Sequence, residues 1–267
     1  MKKIIVIPAR YASTRLPGKA LAEISGKPII QWVYEKAVNS TLKDNVLIAT
    51  DSMKIRDVAL SFGADVVMTS PDCKSGTDRI YQAIKEREGD IIVNLQGDEP
   101  FIRTDIIDLL LNRMENENLT MATLCSPIDE EADYLNPNVV KVVLDKLGFA
   151  LYFSRSPLPF FRNGISFSGI EMAGPESAPA SESKPSNIKN QKYVYKHIGI
   201  YGFSRDFLEK YVAMEGGVLE EAESLEQLRV LENGYKIRVL IINYKGIGID
   251  TKEDLEKARI IAENCQF

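Results

Sequence analysis

Short apolar runs alternate along the chain with segments in which apolar residues recur at helical spacing. The runs are rich in β-branched residues and are apolar throughout, a pattern typical of strands buried on both faces of a sheet. They lie at residues 4–7, 46–50, 65–68, 91–95, 121–124, 141–145, 150–153, 198–203 and 237–242. We predict a strand at each of these positions.

The segments between the runs predict helices. Apolar residues recur at helical spacing from Ile29 and again through residues 52–63, where a glycine ends the pattern. Thr104 is positioned to cap a further helix, and Thr251 with Asp254 forms a capping-box pattern before the last one. Strands that alternate with helices indicate an α/β fold with a mostly parallel, twisted sheet flanked by helices. Ligands bind at the carboxyl ends of such strands, so we expect the functional residues there.

Residues 164–192 differ from the rest of the chain in composition. They are rich in Ser, Pro, Gly, Ala and Glu and hold few large apolar residues to offset the entropy of ordering. We expect a long, partly disordered surface loop, which either separates two subregions or is a plain insertion.

Composition and charge narrow the classes of function. The 267 residues carry a net charge of −5, whereas a nucleic-acid-binding domain is normally basic. Cys73, Cys125 and Cys265 are far apart and odd in number, which argues against a disulfide framework or a zinc site and favours a reducing compartment. No apolar run reaches the roughly 18 residues of a membrane span, and the N-terminal run is too short for a signal peptide. We therefore expect a cytoplasmic protein without membrane or nucleic-acid partners.

The loop after the first run brings three cations together. Arg10, Arg15 and Lys19 lie within ten residues, with Ser13 between them. Arginine offers a planar fork to phosphate oxygens and lysine a point charge, so the loop either clamps a triphosphate or is an ordinary solvated loop. It matches neither the Walker A loop nor G-x-G-x-x-G, and the absence of the latter argues against a nicotinamide oxidoreductase.

Carboxylates occur at two further predicted strand ends. Asp98 follows the run at residues 91–95, next to Gly97, and Asp250 lies between a glycine-rich turn and the last predicted helix. Such carboxylates suit Mg²⁺, but Gly-Asp is also common in turns, and an acid before a helix is stabilised by the helix dipole. From the local sequence both interpretations remain open.

Other polar residues permit a structural as well as a functional interpretation. Ser75 and Gly76 precede a predicted helix, and they either bind an anion or a base edge or simply cap the helix. His197, the only histidine in the chain, is four residues from Tyr201, so both point to one face of a strand. Either they donate hydrogen bonds to a hydroxylated substrate, or His197 is a half-buried structural residue.

Glu226 and Gln227 are polar positions within residues 225–231, which otherwise predict an apolar helix. They are either functional residues or a solvent-facing pair. No single stretch decides between these alternatives, but their combination does.

Taken together, the stretches resemble the 3-deoxy-manno-octulosonate (Kdo) cytidylyltransferases, also called CMP-Kdo synthetases. The matching stretches occur in family order over nearly the whole chain and are IPARYASTRLPGK, ATDS, SGTDR, NLQGDEP, NPNVVKVVLD, ALYFSRSPLP, HIGIYGF, ESLEQLRVLENGYKI and GIDTKEDL. Three features depart from the family pattern. The loop at residues 164–192 looks longer than is usual in the family, Val218 stands where the family commonly has proline, and Phe203 stands where tyrosine is frequent. They bear on loop geometry and the sugar pocket rather than on the reaction.

The resemblance implies a Rossmann-like nucleotide-diphospho-sugar transferase fold and a definite reaction. CTP and Kdo give pyrophosphate and CMP-Kdo, the activated sugar for lipopolysaccharide assembly. The family is Mg²⁺-dependent, cytosolic and usually homodimeric. The resemblance also implies a nucleotide-binding part, about residues 1–125 and 237–267, and a smaller α+β part for sugar binding and dimerisation, about residues 126–236.

A role for each candidate residue is implied in the same way. The catalytic residues are Arg10, Arg15, Lys19, Asp98 and Asp250, of which the two aspartates are the metal ligands. The residues that hold the β- and γ-phosphates are Arg10, Ser13, Arg15 and Lys19. The residues near cytosine and ribose are Ala9, Ser75, Gly76 and Gln96. The residues that bind the sugar acid are Gln96, Arg155, His197, Tyr201, Glu226 and Gln227. Arg155 is the natural partner of the Kdo carboxylate.

Three alternatives remain. The nearest is a cytidylyltransferase for a related sugar acid, such as 8-amino-3,8-dideoxy-octulosonate or sialic acid, or for a phosphonate. A nucleotide-binding module without catalysis would not need the paired carboxylates Asp98 and Asp250 together with three cations. A nicotinamide oxidoreductase would need the glycine fingerprint that the chain lacks.

Overall fold

The computed structural model describes residues 1–12, 15–162, 194–246 and 248–264. The strands in these ranges are β1 (Lys3–Ala9), β2 (Glu23–Ile24), β3 (Lys27–Pro28), β4 (Asn45–Thr50), β5 (Asp65–Met68), β6 (Ile91–Asn94), β7 (Met121–Pro127), β8 (Lys141–Leu144), β9 (Ala150–Ser154), β10 (Tyr195–Ser204) and β11 (Arg238–Ile241). The helices are α1 (Ile29–Val38), α2 (Met53–Ser61), α3 (Gly76–Ile84), α4 (Thr104–Asn116), α5 (Glu131–Leu135), α6 (Arg205–Ala213), α7 (Val218–Glu223), α8 (Leu228–Glu232) and α9 (Lys252–Asn264). Within these ranges no helix combines the length and the apolar character that crossing a membrane requires.

A sheet with the strand order β11-β7-β10-β6-β1-β4-β5 forms the centre of the molecule. Strands β6, β1, β4 and β5 run parallel to one another, and β7 runs parallel to β11. Strand β10 is inserted antiparallel between β6 and β7, and β8 and β9 continue from it as antiparallel strands. The predicted α/β fold with a mostly parallel sheet is confirmed, whereas the sequence pattern does not predict the antiparallel course of β10.

Each predicted strand is present, but two helix predictions are wrong in detail. Thr104 is the first residue of α4, and its hydroxyl donates to the Lys36 carbonyl at 3.2 Å instead of capping the helix. Glu226 and Gln227 lie in a turn before α8 rather than within a helix. The sequence pattern does not predict the hairpin of β2 and β3, because each of these strands has only two residues. The loop predicted at residues 164–192 lies outside the described residues.

Hydrophobic clusters cover both faces of the sheet. Ile5 and Ile7 of β1 pack into one cluster with α1, α4 and α9, whereas Ile4 and Val6 pack into another with α3 and α6. Because successive side chains of β1 are buried on opposite faces, the strand is apolar throughout. This burial on both faces fixes the positions at which the strands end.

Asp108 of α4 ties this helix to the loop after α1. Its carboxylate accepts hydrogen bonds from the Ser40 hydroxyl, from the amide and hydroxyl of Thr41, and from the Leu42 amide. Burial alone would raise the pKa of this carboxyl, but the hydrogen bonds from Ser40 and Thr41 outweigh burial and lower the pKa. The ionised carboxylate therefore stabilises the folded state.

We predict that Asp108→Ala lowers the free energy of unfolding by about 2 kcal/mol at neutral pH, because hydrogen bonds to a charged group are lost. Since the pKa of Asp108 is lower in the folded protein than in the unfolded chain, this stabilisation is present above roughly pH 4 and is lost as the pH falls through the folded-state value. Urea denaturation at neutral pH and at about pH 3 measures both effects.

Glu209→Ala is the control for this variant, because it removes an exposed carboxylate of α6. Its expected effect on the free energy of unfolding is less than about 0.5 kcal/mol. Equal stability of Asp108→Ala and the unmodified protein at neutral pH would contradict the prediction.

Candidate functional site

Two adjoining clefts open at the carboxyl edge of the parallel strands. The candidate residues that line the smaller cleft, of about 440 Å³, are Ala9, Arg10, Arg15, Lys19, Ser75, Gly76, Gln96, Asp98 and Asp250. Those that line the larger cleft, of about 920 Å³, are Arg15, Gln96, Asp98, Arg155, His197, Tyr201, Glu226, Gln227 and Asp250. The fold thus brings the described candidates to one edge of the sheet, while Ser13 lies outside the described residues. The role of each residue remains a prediction.

Lys19 connects the two predicted metal ligands. Its Nζ lies 2.7 Å from Asp98 Oδ2 and 3.0 Å from Asp250 Oδ1. Arg15 Nη2 lies 2.9 Å from Oδ2 of Asp250. Burial of Lys19 opposes its charge, but the two carboxylates outweigh burial and raise the pKa of the ammonium. A shared cation therefore keeps the two carboxylates close together.

Backbone contacts hold the loops that carry these carboxylates. Asp98 follows β6, and its carbonyl accepts a hydrogen bond from the Ile249 amide at 2.9 Å. Thr251 and Asp254 form a capping box at α9, and Asp254 Oδ2 also accepts from the Asp250 amide at 3.1 Å. The predicted capping box is confirmed, and it fixes the backbone of Asp250 beside the clefts.

The donor set suits a magnesium ion that also binds a ligand. Asp98 and Asp250 expose 27% and 44% of their side chains. In the described part of the chain, no group of three or more His, Cys, Asp and Glu side chains is arranged to hold a metal ion. Mg²⁺ is usually bound by one or two carboxylates together with substrate phosphates and water, rather than by a cage of protein ligands. Two partly exposed carboxylates at the edge of a cleft therefore fit Mg²⁺.

The N-terminus of α3 borders the smaller cleft. The Ser75 hydroxyl accepts from the Asp78 amide at 3.1 Å, and Asp78 Oδ2 accepts from the Ser75 amide at 2.9 Å. These two bonds complete a capping box, so Ser75 does cap the helix, while its contact with a nucleotide remains a prediction. A Cβ atom at Gly76 would lie 3.6 Å from Pro8 Cγ and 4.0 Å from Gln96 Nε2, and glycine leaves this space open to the cleft.

Sequence reasoning missed Arg79, which lines the smaller cleft and is only 4% exposed. Its Nη2 donates to Asp51 Oδ2 at 2.8 Å, and its Nη1 donates to Thr69 Oγ1 at 2.5 Å. A buried guanidinium is tolerated because a carboxylate pairs with it. The sequence did contain a signal for this pair. Asp51 belongs to ATDS at the end of a predicted strand, and Arg79 belongs to SGTDR at the start of a predicted helix, so both charges are expected at the same sheet edge.

Sequence reasoning also missed Glu99 as a candidate site residue. Its carboxylate accepts a hydrogen bond from the Tyr244 hydroxyl at 3.2 Å, and burial together with the neighbouring Asp98 raises its pKa to about 8. A Cβ atom at Gly248 would lie 3.2 Å from Glu99 Oε1, so the loop before Asp250 packs closely on this side chain. Nothing in the local sequence distinguishes Glu99 from Asp98.

Arg155 borders the larger cleft with its guanidinium anchored on backbone carbonyls. Its Nε donates to the Glu223 carbonyl at 2.8 Å, and its Nη1 donates to the Pro137 carbonyl at 3.1 Å. The fully buried Lys141 donates to the carbonyls of Arg155 and Asn136. These contacts fix the position of the cation, while its pairing with a substrate carboxylate remains a prediction.

Glu226 and Gln227 carry unpaired polar atoms in the wall of the larger cleft. Glu226 Oε1 accepts from the Thr77 hydroxyl at 3.1 Å, but Glu226 Oε2 and Gln227 Nε2 are buried without a hydrogen-bond partner among the described residues. Burial raises the pKa of Glu226. Leaving a buried polar group unpaired costs roughly 1–3 kcal/mol, so both atoms indicate a ligand that completes their hydrogen bonds. The alternative of a solvent-facing pair is wrong.

His197 and Tyr201 lie on one face of β10, as predicted. Their ring centroids are 5.4 Å apart, and both residues line the larger cleft. His197 Nε2 lies 2.9 Å from the hydroxyl oxygen of Thr123 on β7. Burial lowers the pKa of His197 to about 3, so the imidazole is neutral at physiological pH. His197 is thus a hydrogen-bonded, half-buried histidine that also borders the cleft.

Comparison with known proteins agrees with this arrangement. The chain matches the family model described as cytidylyltransferase over residues 4–237. It is 47% identical over 273 residues to the 3-deoxy-manno-octulosonate cytidylyltransferase of Thermodesulfovibrio yellowstonii, with 99% of this chain and 98% of that protein covered. Its identity to the protein of the same name from Trichlorobacter lovleyi is 43% over 266 residues, with 97% and 98% covered.

A solved structure of a CMP:2-keto-3-deoxy-manno-octonic acid synthetase complexed with CTP has the same fold. Its TM-score with this chain is 0.84 at 40% sequence identity, and the match covers 99% of this chain and 100% of that one. The similarity therefore includes the residues of both clefts and is not confined to the central sheet. The chain belongs to the family of 3-deoxy-manno-octulosonate cytidylyltransferases.

Proposed function

We propose that the two clefts together transfer the cytidylyl group of CTP to Kdo and release pyrophosphate. The chain is a nucleotidyltransferase, and its product, CMP-Kdo, is the activated sugar for lipopolysaccharide biosynthesis. The observation that carries the proposal is the pair of carboxylates, Asp98 and Asp250, which borders both clefts beside Lys19. Groups at this boundary can contact both substrates at once.

The smaller cleft is the binding site for CTP in this proposal. Arg10, Arg15 and Lys19 surround the β- and γ-phosphates with positive charge and stabilise the pyrophosphate that leaves. The residues that face cytosine and ribose are Ala9, Ser75, Gly76 and Gln96. The support for this assignment is that all of them line one cleft, in which Arg15 and Lys19 lie within hydrogen-bond distance of the carboxylates.

Asp98 and Asp250 would hold Mg²⁺. When bound, the ion neutralises phosphate oxygens and lowers the pKa of a coordinated hydroxyl. Lys19 lies beside both carboxylates and Arg15 lies beside Asp250. These cations offset the repulsion between the two negative charges.

The larger cleft is the site for Kdo. The anomeric hydroxyl attacks the α-phosphorus of CTP, a new phosphorus–oxygen bond forms, and the bond to the pyrophosphate oxygen breaks. Catalysis of such a transfer rests mainly on positioning and on stabilisation of charge. The residues that bind the sugar acid are Gln96, Arg155, His197, Tyr201, Glu226 and Gln227. The anchored cation of Arg155 and the unpaired atoms of Glu226 and Gln227 support this role.

The assignment of one substrate to each cleft also supports a division of the chain into two parts. The nucleotide-binding part comprises about residues 1–125 and 237–267, and the sugar-binding and dimerisation part comprises about residues 126–236. We place the protein in the cytoplasm, where the free thiols of Cys73 and Cys125 stay reduced.

Pyrophosphate release with CTP, Mg²⁺ and a panel of sugar acids tests the substrate. We expect turnover with Kdo to exceed turnover with 8-amino-3,8-dideoxy-octulosonate and with sialic acid. Faster turnover of either alternative would contradict the assignment of Kdo. Binding of CTP without pyrophosphate release from any sugar acid would indicate a nucleotide-binding module instead.

We predict that Asp98→Asn lowers turnover about 100-fold or more, because removal of a well-placed electrostatic group costs roughly 2.7–4 kcal/mol in the transition state. Steady-state rates at saturating CTP and Kdo measure the loss, and thermal unfolding verifies that the variant is folded. Asp57→Asn, which changes an exposed carboxylate of α2, is the control and keeps its turnover. Near-normal turnover of folded Asp98→Asn would exclude its role as a metal ligand.

We further propose that the chain forms a homodimer through the side of β8 and β9. Leu147, Leu151 and Phe160 lie in or near this hairpin and are 71%, 62% and 85% exposed. Large exposed apolar side chains that occur within one short segment of the chain make that segment a candidate for an interaction surface.

Sedimentation velocity tests the dimer. We expect the unmodified chain to sediment as a dimer and the double variant Leu151→Lys with Phe160→Lys to sediment as a monomer, because two buried apolar contacts are replaced by charges. Leu60→Lys on α2 changes a residue that is 54% exposed and is expected to leave the dimer intact. A monomeric unmodified chain would contradict the proposal, and a dimeric double variant would place the interface elsewhere.

A further inference from the structure

Strand β10 departs from regular pairing with β7 beside the larger cleft. Ile198 is opposite Leu124, but the next pair along the strands joins Tyr201 to Thr123. Residues 199–200 therefore bulge out of the ladder. Bulges leave backbone groups without ladder partners, and they are frequent next to active sites, where they re-aim a side chain.

The Thr123 hydroxyl lies at the centre of this irregularity and is fully buried. Its Oγ1 is 2.8 Å from the Ile200 carbonyl oxygen, 3.2 Å from the Ile198 carbonyl oxygen and 2.9 Å from His197 Nε2. A hydroxyl has one proton to donate, whereas a carbonyl oxygen can only accept. The hydroxyl proton therefore goes to the carbonyls, with Ile200 the nearer. The remaining neighbour, Nε2 of His197, must then donate its proton to Oγ1.

We propose that Thr123 is a positioning residue that holds His197 in the Nε2–H tautomer, so that Nδ1 accepts a hydrogen bond from a hydroxyl group of the sugar acid. This inference rests on the proposed function, in which the sugar acid occupies the larger cleft. Among the described residues Nδ1 has no hydrogen-bond partner, and the imidazole borders that cleft. The free lone pair of Nδ1 is therefore available to a ligand.

Aromatic neighbours fix the plane of the imidazole. The Phe153 ring contacts His197 edge-on, with centroids 5.0 Å apart and an angle of 76° between the planes, and the Tyr201 ring lies 5.4 Å away. A ring held between two aromatic groups and tied to Thr123 cannot easily rotate to exchange its two nitrogens. Burial keeps the ring neutral, which preserves one donor and one acceptor nitrogen.

The tautomer decides which part of the sugar acid His197 can contact. A lone pair on Nδ1 attracts a hydroxyl proton and repels an ionised carboxylate, which has no proton to offer at neutral pH. The carboxylate of the sugar acid is therefore directed away from His197, toward the cation of Arg155. In this arrangement His197 and Glu226 accept hydrogen bonds from sugar hydroxyls and Gln227 donates one. The proposal thus differs from the sequence-based prediction, in which His197 donates to the substrate.

The tautomer can be measured directly, because His197 is the only histidine in the chain. In protein labelled with ¹⁵N-histidine, long-range ¹H–¹⁵N correlation spectra at neutral pH are expected to show a protonated Nε2 and an unprotonated Nδ1. Adding Kdo together with a non-hydrolysable CTP analogue is expected to shift the Nδ1 resonance toward that of a hydrogen-bond acceptor, while the analogue alone leaves it unchanged. A protonated Nδ1 in the unmodified protein would overturn the proposal.

Thr123→Val removes the oxygen that accepts from Nε2 while it keeps the shape of the side chain. We expect the Nδ1–H tautomer to become populated and the KM for Kdo to rise about tenfold, as the loss of one hydrogen bond implies, with an unchanged KM for CTP. Thr123→Ser retains the hydroxyl and is expected to restore both the tautomer and the KM. Met121→Leu changes another buried side chain of β7, one that is opposite Phe203 rather than His197, and controls for packing, since the His197 spectrum should not change.

A Thr123→Val variant that keeps the Nε2–H tautomer, or that raises both KM values equally, would also overturn the proposal. If this variant fails to fold, the spectra of the unmodified protein and of Thr123→Ser still decide the tautomer. Absence of turnover with every sugar acid would contradict the proposed function instead, and the His197 spectrum would remain an independent test of the role of Thr123.

Discussion

The arrangement of both clefts depends on the contact between the Lys19 ammonium and the carboxylates of Asp98 and Asp250. These residues come from three segments that are far apart along the chain: the loop after β1, the end of β6 and the start of α9. The two carboxylates repel each other, and the repulsion is stronger in a partly desolvated cleft than in water. The Lys19 ammonium attracts both carboxylates and thereby offsets their repulsion. The same positive charge that would attract a polyphosphate therefore also joins the three segments.

The antiparallel course of β10 explains how the residues that we propose to bind the sugar acid reach the same edge of the sheet. A parallel strand contributes the residues that follow it, as β6 contributes Asp98. Tyr201 of β10 pairs with Asn94 at the end of β6, so the residues before Tyr201 extend beyond this edge. His197 therefore reaches the cleft from the beginning of its strand, and the bulge that follows brings two carbonyls to Thr123.

In the proposed function, the two clefts recognise their substrates by different physical means. In the smaller cleft, full charges lie in clusters, which bind a polyphosphate strongly but distinguish little beyond its charge. In the larger cleft, buried atoms such as Glu226 Oε2 and Gln227 Nε2 lack partners among the described residues. A site of this kind discriminates against analogues that leave its polar groups unpaired. Under the proposed function, charge would therefore provide affinity for the nucleotide, and directed hydrogen bonds would provide the choice of sugar.

Local patterns were sufficient for the α/β fold and for placing polar motifs such as that of Asp98 at strand ends, because burial on both faces leaves continuous apolar runs that these motifs follow directly. The candidate roles of the cleft residues came from the resemblance to a family and not from local spacing. They were insufficient for Arg79 and Glu99, whose burial depends on partners in other segments. The direction of β10 and the hydrogen bond between Thr123 and His197 could not be predicted at all. Both arise from pairing of β7 with β10, which brings together residues as distant in the chain as Thr123 and His197, 74 positions apart. No local spacing encodes which distant strand lies alongside.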